Sequence, residues 1–488
     1  MKQPHVIFLV ADQLRYDMLG RGLTPNIDAI AAQSVQMNRA YCASPLCVPA
    51  RGALFTGTYP NTNGSIINPW CPHDRPHGDV HQGIDHLYQQ MEAGGWDCIH
   101  SGKQHFFTAG DKLENREDTK TKWASTGPSY QEFLRKEGAR VPGGEAFRSV
   151  LPEMACGKHT RYVKYSNPHT GCYEGGLAHY FDGYFTDKAM EALKQRDTTK
   201  PLFFSGMFLA PHPPFDVPDP YYSALKPEDV TLPENVGQWY DHQSPLQLYN
   251  LTGAVGTRYT LPEWKEAWRV YMGLVTLLDD CVGRIIDALK EQGIYDDCLI
   301  VFTTDHGEML GSHQLFQKMC MYEESVRAPM YLRLPRGAHA GVCLEGNISH
   351  IDLFPTICDY LDITTESALD GVSLLPNIAQ GTKVNRPVFI QFDGNGARGN
   401  FQRCMIDGQY KLIADVFKDE IHYELYDIKN DVQETTNLLF AQDAPLAIAQ
   451  SMLDRLVQHM EETGDLITLF DTDLQGFIAA YAPFLPKR

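Results

Sequence analysis

Cys42-Ala43-Ser44-Pro45-Leu46-Cys47-Val48-Pro49-Ala50-Arg51-Gly52-Ala53-Leu54-Phe55-Thr56-Gly57 is nearly uncharged, rich in small residues, and carries one cation, Arg51. The spacing Cys47-x-Pro49-x-Arg51 is its informative part. Pro49 fixes its own φ and biases Val48 away from the helical region. A helix is therefore expected over residues 50–55, with Cys47 at or just before its N-terminus. Backbone N–H groups and the helix dipole favour an anion at such an end, and a thiol there has a lowered pKa. Arg51, one turn further on, is placed to present a guanidinium fork to an oxyanion. A lone Cys beside a turn is more often a buried structural residue, so the stretch needs support from the rest of the chain.

Working outward, three apolar runs read as buried strands that end in polar residues. Residues 6–10 lead into Ala11-Asp12-Gln13. Asp12 reads either as a helix N-cap or, with Gln13, as a hard oxygen pair suited to Ca²⁺ or Mg²⁺. Residues 201–209 lead into Ala210-Pro211-His212-Pro213-Pro214. Flanking prolines leave His212 little backbone freedom, as a turn residue or as a side chain held toward a ligand. Residues 299–304 lead into Asp305-His306-Gly307-Glu308. The ends of buried strands are where open α/β sheets place their ligands. A fourth strand, residues 96–100, runs into Ser101-Gly102-Lys103-Gln104-His105. On an extended segment residues two apart share a side, so Lys103 and His105 are expected to converge on one anion; taken singly, both residue types are more often at the surface.

A chain of 488 residues is too long for one small core. The expected division is a large domain over residues 1–382 and a smaller one over 383–488. The tail reads as strands at 388–392, 401–406 and 410–413, then a helix at 445–462. The net charge of −19 argues against nucleic acid and anionic membrane surfaces. An anionic substrate then needs a local cluster of cations, and screening over about 8–10 Å lets such a cluster act alone. No apolar run is long enough to span a bilayer. The short apolar run at the N-terminus ends in an acid and reads as a first strand rather than a signal peptide, so a cytoplasmic location is expected. Twelve scattered cysteines without a CxxC pair read as free thiols. Residues 61–83, rich in His, Pro, Gly and Trp, read as a loop at a substrate mouth rather than a zinc site. Residues 264–292 carry the period of a long amphipathic helix.

Cys47-Val48-Pro49-Ala50-Arg51 with Leu54-Phe55-Thr56-Gly57, Gly102-Lys103-Gln104-His105, and Thr304-Asp305-His306-Gly307 occur in this order and resemble the motifs of the type I sulfatases, in the alkaline phosphatase superfamily. The likeness continues through Gly311 to Lys318 and Met321 to Pro329 as far as Leu438. It implies an α/β fold, a large mixed sheet between helices, with a small antiparallel C-terminal subdomain. In that family the Cys is oxidised to formylglycine by a maturation enzyme that reads the unfolded motif, and its hydrate attacks sulfur. The resemblance assigns Asp12, Gln13, Asp305, His306 and oxidised Cys47 to one divalent metal, Ca²⁺ with Mg²⁺ as the alternative. It assigns Arg51, Lys103, His212 and Lys318 to the sulfuryl oxygens, with His212 or Lys318 assisting the leaving alcohol and His105 as the base of the second step. Two positions depart from the usual pattern. Asp12-Gln13 stands where most sulfatases carry two acids, as in a subset of them and in phosphonate monoester hydrolases, and Gln104 stands where Trp is usual. The implied activity is hydrolysis of sulfate esters; phosphonate monoester or phosphodiester hydrolysis, or a choline-sulfatase-like activity, is the alternative. Trp70, His73, His77 and Trp123 suggest a sulfated sugar as substrate. His313 reads as a residue behind the site or as packing, and Arg398, Gln402 and Arg403 as residues that reach the mouth.

Overall fold

The computed structural model describes residues 3–481 except 71, 156–157 and 396–398, with the backbone alone at 72–73, 152–155 and 158–164. Strands β1 (His5–Asp12), β2 (Val35–Met37), β3 (Asp97–Gly102), β4 (Lys122–Ser125), β5 (Leu202–Pro211), β6 (Cys298–Thr304) and β7 (Met330–Arg333) form one mixed sheet in the order β2-β7-β6-β1-β5-β3-β4. The strands from β6 to β4 are parallel, and β7 runs antiparallel to both its neighbours.

Parallel strands covered on both faces read as continuous apolar runs, which is why they stand out in the sequence. In β1, Ile7, Leu9 and Ala11 enter one core while Val6, Phe8 and Val10 enter the other. The first core is covered by α1 (Pro25–Ala32), α3 (Phe181–Lys194) and α4 (Leu261–Glu291). The second is covered by α2 (Cys47–Thr56) and α5 (Leu353–Leu361). Helix α4 starts three residues before its expected position, because Thr260 and Glu263 form a capping box.

Helix α2 begins at Cys47 itself, three residues earlier than the proline suggests. Leu46 is its extended N-cap, so Pro49 is the third helical residue, where the missing N–H has no intrahelical acceptor to lose. Val48 is helical in spite of the following proline. The helix ends at Gly57, whose φ is 68° and whose N–H bonds to Ala53 O. A Cβ at Gly57 would stand 3.0 Å from Pro355 and 3.2 Å from the Ile351 carbonyl, so α2 and α5 meet only across a glycine.

Near the C-terminus, β8 (Val388–Phe392), β9 (Phe401–Asp407), β10 (Tyr410–Phe417) and β11 (Glu420–Asp427) form an antiparallel sheet in sequence order. One face packs Val388, Ile390, Cys404 and Ile413 on Met309, Leu315 and Met321. The other packs Met405, Leu412 and Leu425 on Met452, Leu453 and Leu456 of α6 (Leu446–Glu462). Arg403 is buried between Asp393 (2.8 Å) and Asp465 (2.6 Å), and Gln402 Nε2 donates to Met319 O. Neither reaches the mouth as the sequence suggested; Arg398 lies outside the described residues. Arg403→Ala leaves two buried carboxylates without their cation. It should lower unfolding stability by about 3–5 kcal/mol in urea titrations. No helix among the described residues is long and apolar enough to cross a membrane.

Candidate active site

The ends of β1, β3, β5 and β6 adjoin one another, and the N-terminus of α2 points at them. Asp12, Cys47, Asp305 and His306 are all buried, and each offers a ligand atom within 4.8 Å of the others. Cys47 Sγ is 3.2 Å from His306 Nε2 and 4.0 Å from Asp12 Oδ1. His306 Nδ1 faces Gly307 O at 3.0 Å. A proton held there leaves Nε2 as a lone pair aimed into the cluster, the orientation of a metal-ligating imidazole. Asp305 Oδ1 is fixed by the N–H groups of Gln13 (3.1 Å) and His306 (2.9 Å).

Burial alone would push the Asp12 carboxyl up, but the Lys103 ammonium and the Arg51 guanidinium hold it well below its usual range. Burial also opposes charge on His306, and Asp305 with Cys47 outweighs it and raises its pKa. The cluster is thus an acidic cage that favours positive charge at its centre, which suits a cation. A thiolate at position 47 gives a mixed sulfur, nitrogen and oxygen donor set. An oxygen there makes the set predominantly hard, as Ca²⁺ and Mg²⁺ require.

Gln13 lies beside this cage, with a φ of 67°. Its Nε2 donates to Glu308, whose other oxygen accepts from the N–H groups of Leu310 and Gln317. Glu308 therefore turns the Gln13 amide so that Oε1 faces away, where it accepts from Lys318 Nζ at 2.5 Å.

Arg51 departs from its expected role. Its side chain is wholly buried, with Nε on Asp305 and Nη2 on Asp12, both at 3.0 Å, and Nη1 on the carbonyls of Lys103 and Gln104. The whole fork is spent on carboxylates and backbone behind the cage, so Arg51 locks the acids in place and offers no face to the pocket.

A pocket of about 340 Å³ opens over Cys47, walled by Lys103, His105, His212 and Lys318 together with Trp70 and Arg148. Lys103 Nζ reaches both Asp12 (2.5 Å) and Cys47 Sγ (3.9 Å). Lys103 and His105 do converge, though by a different route from strand alternation. β3 stops at Gly102, where a Cβ would fall 1.9 Å from Met207 O, and His105 has a φ of 47°. A bend, rather than an extended segment, brings the two together. Burial, then Lys103, keeps both His105 and His212 well below the ordinary imidazole pKa, so both are neutral. At Cys47, burial and Asp12 raise the thiol's pKa, but Lys103, Lys318 and His306 outweigh them and lower it.

Several residues were invisible to sequence reasoning. Arg148 sits at the start of a hairpin (Arg148–Ala155 with Lys158–Ser166) in a stretch with no readable pattern. Asn395 reaches the mouth in place of Gln402 and Arg403, accepting from Trp70 Nε1 at 3.2 Å. Of the residues that suggested a sugar, Trp70 stands half exposed at the mouth, while Trp123 packs against Tyr88 and His100 in the core. His77 does not line the pocket, and the His73 side chain lies outside the described residues. His313 is packing: it stacks on Tyr322 at 4.0 Å and is bonded to Gln433 O.

A mixed α/β sheet that holds an acidic cage and a cationic pocket at its strand ends is the arrangement of a metal-assisted hydrolase for anionic esters. The family model described as Sulfatase matches residues 4–363, and the one described as N-sulphoglucosamine sulphohydrolase, C-terminal, matches residues 311–462. The chain belongs to the sulfatase family, whose members are hydrolases of the alkaline phosphatase superfamily. It is 29% identical to the multifunctional alkaline phosphatase superfamily protein PehA of Trinickia caryophylli, over 98% of this chain and 99% of that one. It is 25% identical to an arylsulfatase of Clostridium perfringens, over 90% and 91% of the two chains. Its fold matches the crystal structure of a phosphonate monoester hydrolase of Agrobacterium radiobacter with a TM-score of 0.76 at 23% identity, over 94% and 96% of the chains.

Proposed function

We propose that this enzyme hydrolyses sulfate monoesters through residue 47 in its oxidised, formylglycine form, with one Ca²⁺, or Mg²⁺ in its place, held by Asp12, Gln13, Asp305, His306 and residue 47. The observation that carries this is the position of Cys47, on the floor of a cationic pocket and 3.2 Å from a ligand atom of the acidic cage. A cation held there would draw charge from the sulfuryl oxygens, and the hydrated aldehyde would offer one hydroxyl to attack sulfur and a second to expel sulfate.

The chain's own groups supply the rest. Lys103 and Lys318 set two ammonium groups around the sulfuryl oxygens. His105 is neutral and accepts the proton of the second hydroxyl. His212 Nδ1 faces Pro213 O at 2.5 Å, so a neutral His212 presents a lone pair at Nε2 and orients rather than protonates. Lys318 then delivers the proton to the departing oxygen. Lys318→Ala should lower kcat on an alkyl sulfate on the order of a thousand-fold, and far less on a nitrophenyl sulfate, whose alcohol leaves unprotonated. Equal losses across a leaving-group series would remove Lys318 from that role.

All ten residues of α2 are buried, Cys47 among them. A maturation enzyme therefore acts before the chain folds. A sugar as the alcohol is supported by the aromatic face of Trp70 beside Asn68 and Asn395 at the mouth.

A second reading, phosphonate monoester or phosphodiester hydrolysis, is favoured by Asp12-Gln13 with Asp305-His306 and by the similarity to PehA and to the phosphonate monoester hydrolase fold. The comparison of kcat/KM on an aryl sulfate and on the matching aryl phosphonate monoester decides between them. The sulfate is expected to be the better substrate, and the reverse order would establish the second reading.

A further inference from the structure

A larger chamber, of about 430 Å³, adjoins the catalytic pocket. Lys103, His105, Arg148 and His212 line both spaces, so the two are continuous; Cys47 and Lys318 line only the pocket. Beyond the shared residues most of the chamber's lining is apolar, with Gln104, Lys112, Glu114 and Gln131 as its polar members. Its walls include Tyr130, Leu134, Phe147 and Phe185, exposed by 1%, 2%, 6% and 4%, together with Leu209 and Pro214. These walls come from the helix Gly127–Glu137, from the turn that ends at Phe147, from α3, and from the end of β5 and the loop after it. Tyr130 packs its ring on Phe181 and Phe185, with centroids 4.6 and 5.9 Å apart, which makes the wall rigid.

Of these polar members, Gln104 is the buried one. Gln104 is 1% exposed, and its Oε1 accepts from Phe106 N–H at 3.1 Å. Its Nε2 is buried and has no hydrogen-bond partner among the described residues. A buried donor left unmade is costly, and an acceptor brought by a ligand removes that cost. Pockets of this size, mostly apolar with a few placed polar groups, are the usual form of small-molecule sites.

We propose that the chamber binds the apolar part of the substrate's alcohol, an aromatic or alicyclic ring that carries an oxygen acceptor for Gln104 Nε2. The sulfuryl end stays over Cys47 while the alcohol extends past His105 and His212. The ring is either the esterified alcohol itself or the aglycone of a sulfated glycoside. This inference rests on the sulfate-ester reading above.

The test compares matured wild-type enzyme on four esters: a glucose monosulfate, the same sulfate on a naphthyl glucoside, naphthyl sulfate, and a coumarin-type aryl sulfate whose ring carbonyl is an acceptor. One of the two naphthyl esters should exceed the bare sugar sulfate in kcat/KM by about ten-fold or more, which identifies the source of the ring. The coumarin ester should exceed naphthyl sulfate after correction for leaving-group acidity, and Gln104→Leu should reduce that ratio about ten-fold. The wild-type comparison needs no variant to fold. The bare sugar sulfate matching both naphthyl esters would overturn the proposal, as would a coumarin-to-naphthyl ratio unchanged by Gln104→Leu in a folded variant. Failure to turn over any sulfate ester would sink the sulfatase reading instead. The chamber is then decided by fluorescence titration with the free hydroxycoumarin: saturable binding weakened by Gln104→Leu supports it, and no binding overturns it.

Discussion

Cys47→Ser should fold normally and lose turnover by a factor on the order of ten thousand or more, the range expected when a covalent nucleophile is removed. A serine keeps an oxygen at the N-terminus of α2 and changes little in volume, so far-ultraviolet circular dichroism and melting temperature should stay close to wild type. What it lacks is a second hydroxyl on the same carbon. A single hydroxyl can take up the sulfuryl group and then has no means of releasing it. The unmodified Cys47 thiol has the same defect, although Lys103, Lys318 and His306 lower its pKa. Near-wild-type turnover by a folded Cys47→Ser enzyme that carries serine at that position would remove the aldehyde from the mechanism.

Asp12→Ala should cost nearly as much activity and, in addition, stability. Asp12 is a member of the acidic cage and the acceptor for both Arg51 (3.0 Å) and Lys103 (2.5 Å). Its removal takes one oxygen from the proposed cation site and leaves Arg51, wholly buried, with Asp305 as its remaining carboxylate. Breaking a buried ion pair from one side costs about 3–5 kcal/mol. Loss of a ligand to a catalytic cation should reduce kcat/KM by about a thousand-fold or more, and added metal should not restore it. Elemental analysis of the purified variant should show less than one bound divalent ion per chain, and its urea midpoint should fall. Wild-type activity that survives exhaustive chelation would contradict the metal assignment. The acid limb has a definite sign: Asp12 is held below its ordinary pKa, so its contribution to the metal-free protein is full above about pH 4 and is lost as the pH falls further.

The parallel strands were legible in sequence because burial on both faces leaves no alternation to interpret, as in β1, where successive residues feed two cores. The polar residues that end them were legible for the same reason, since Asp12 and Asp305 interrupt apolar runs. The direction of a side chain was not. Arg51 was expected to face the anion and instead turns back to Asp12 and Asp305, because those acids, far apart in sequence, converge behind α2. The start of α2 was misplaced because a proline in a first helical turn and a proline that blocks a helix look alike without the cap residue's dihedrals. Glu308, Arg148 and Asn395 gave no signal, since each matters through a single contact made across the fold.

The most direct test is mass spectrometry of the peptide containing residue 47, in preparations matured to different extents, paired with specific activity on an aryl sulfate. The modified peptide should have lost one sulfur and two hydrogens and gained one oxygen, and activity should rise in proportion to its fraction, extrapolating to none at zero. Full activity in a preparation whose Cys47 is entirely thiol would contradict the account.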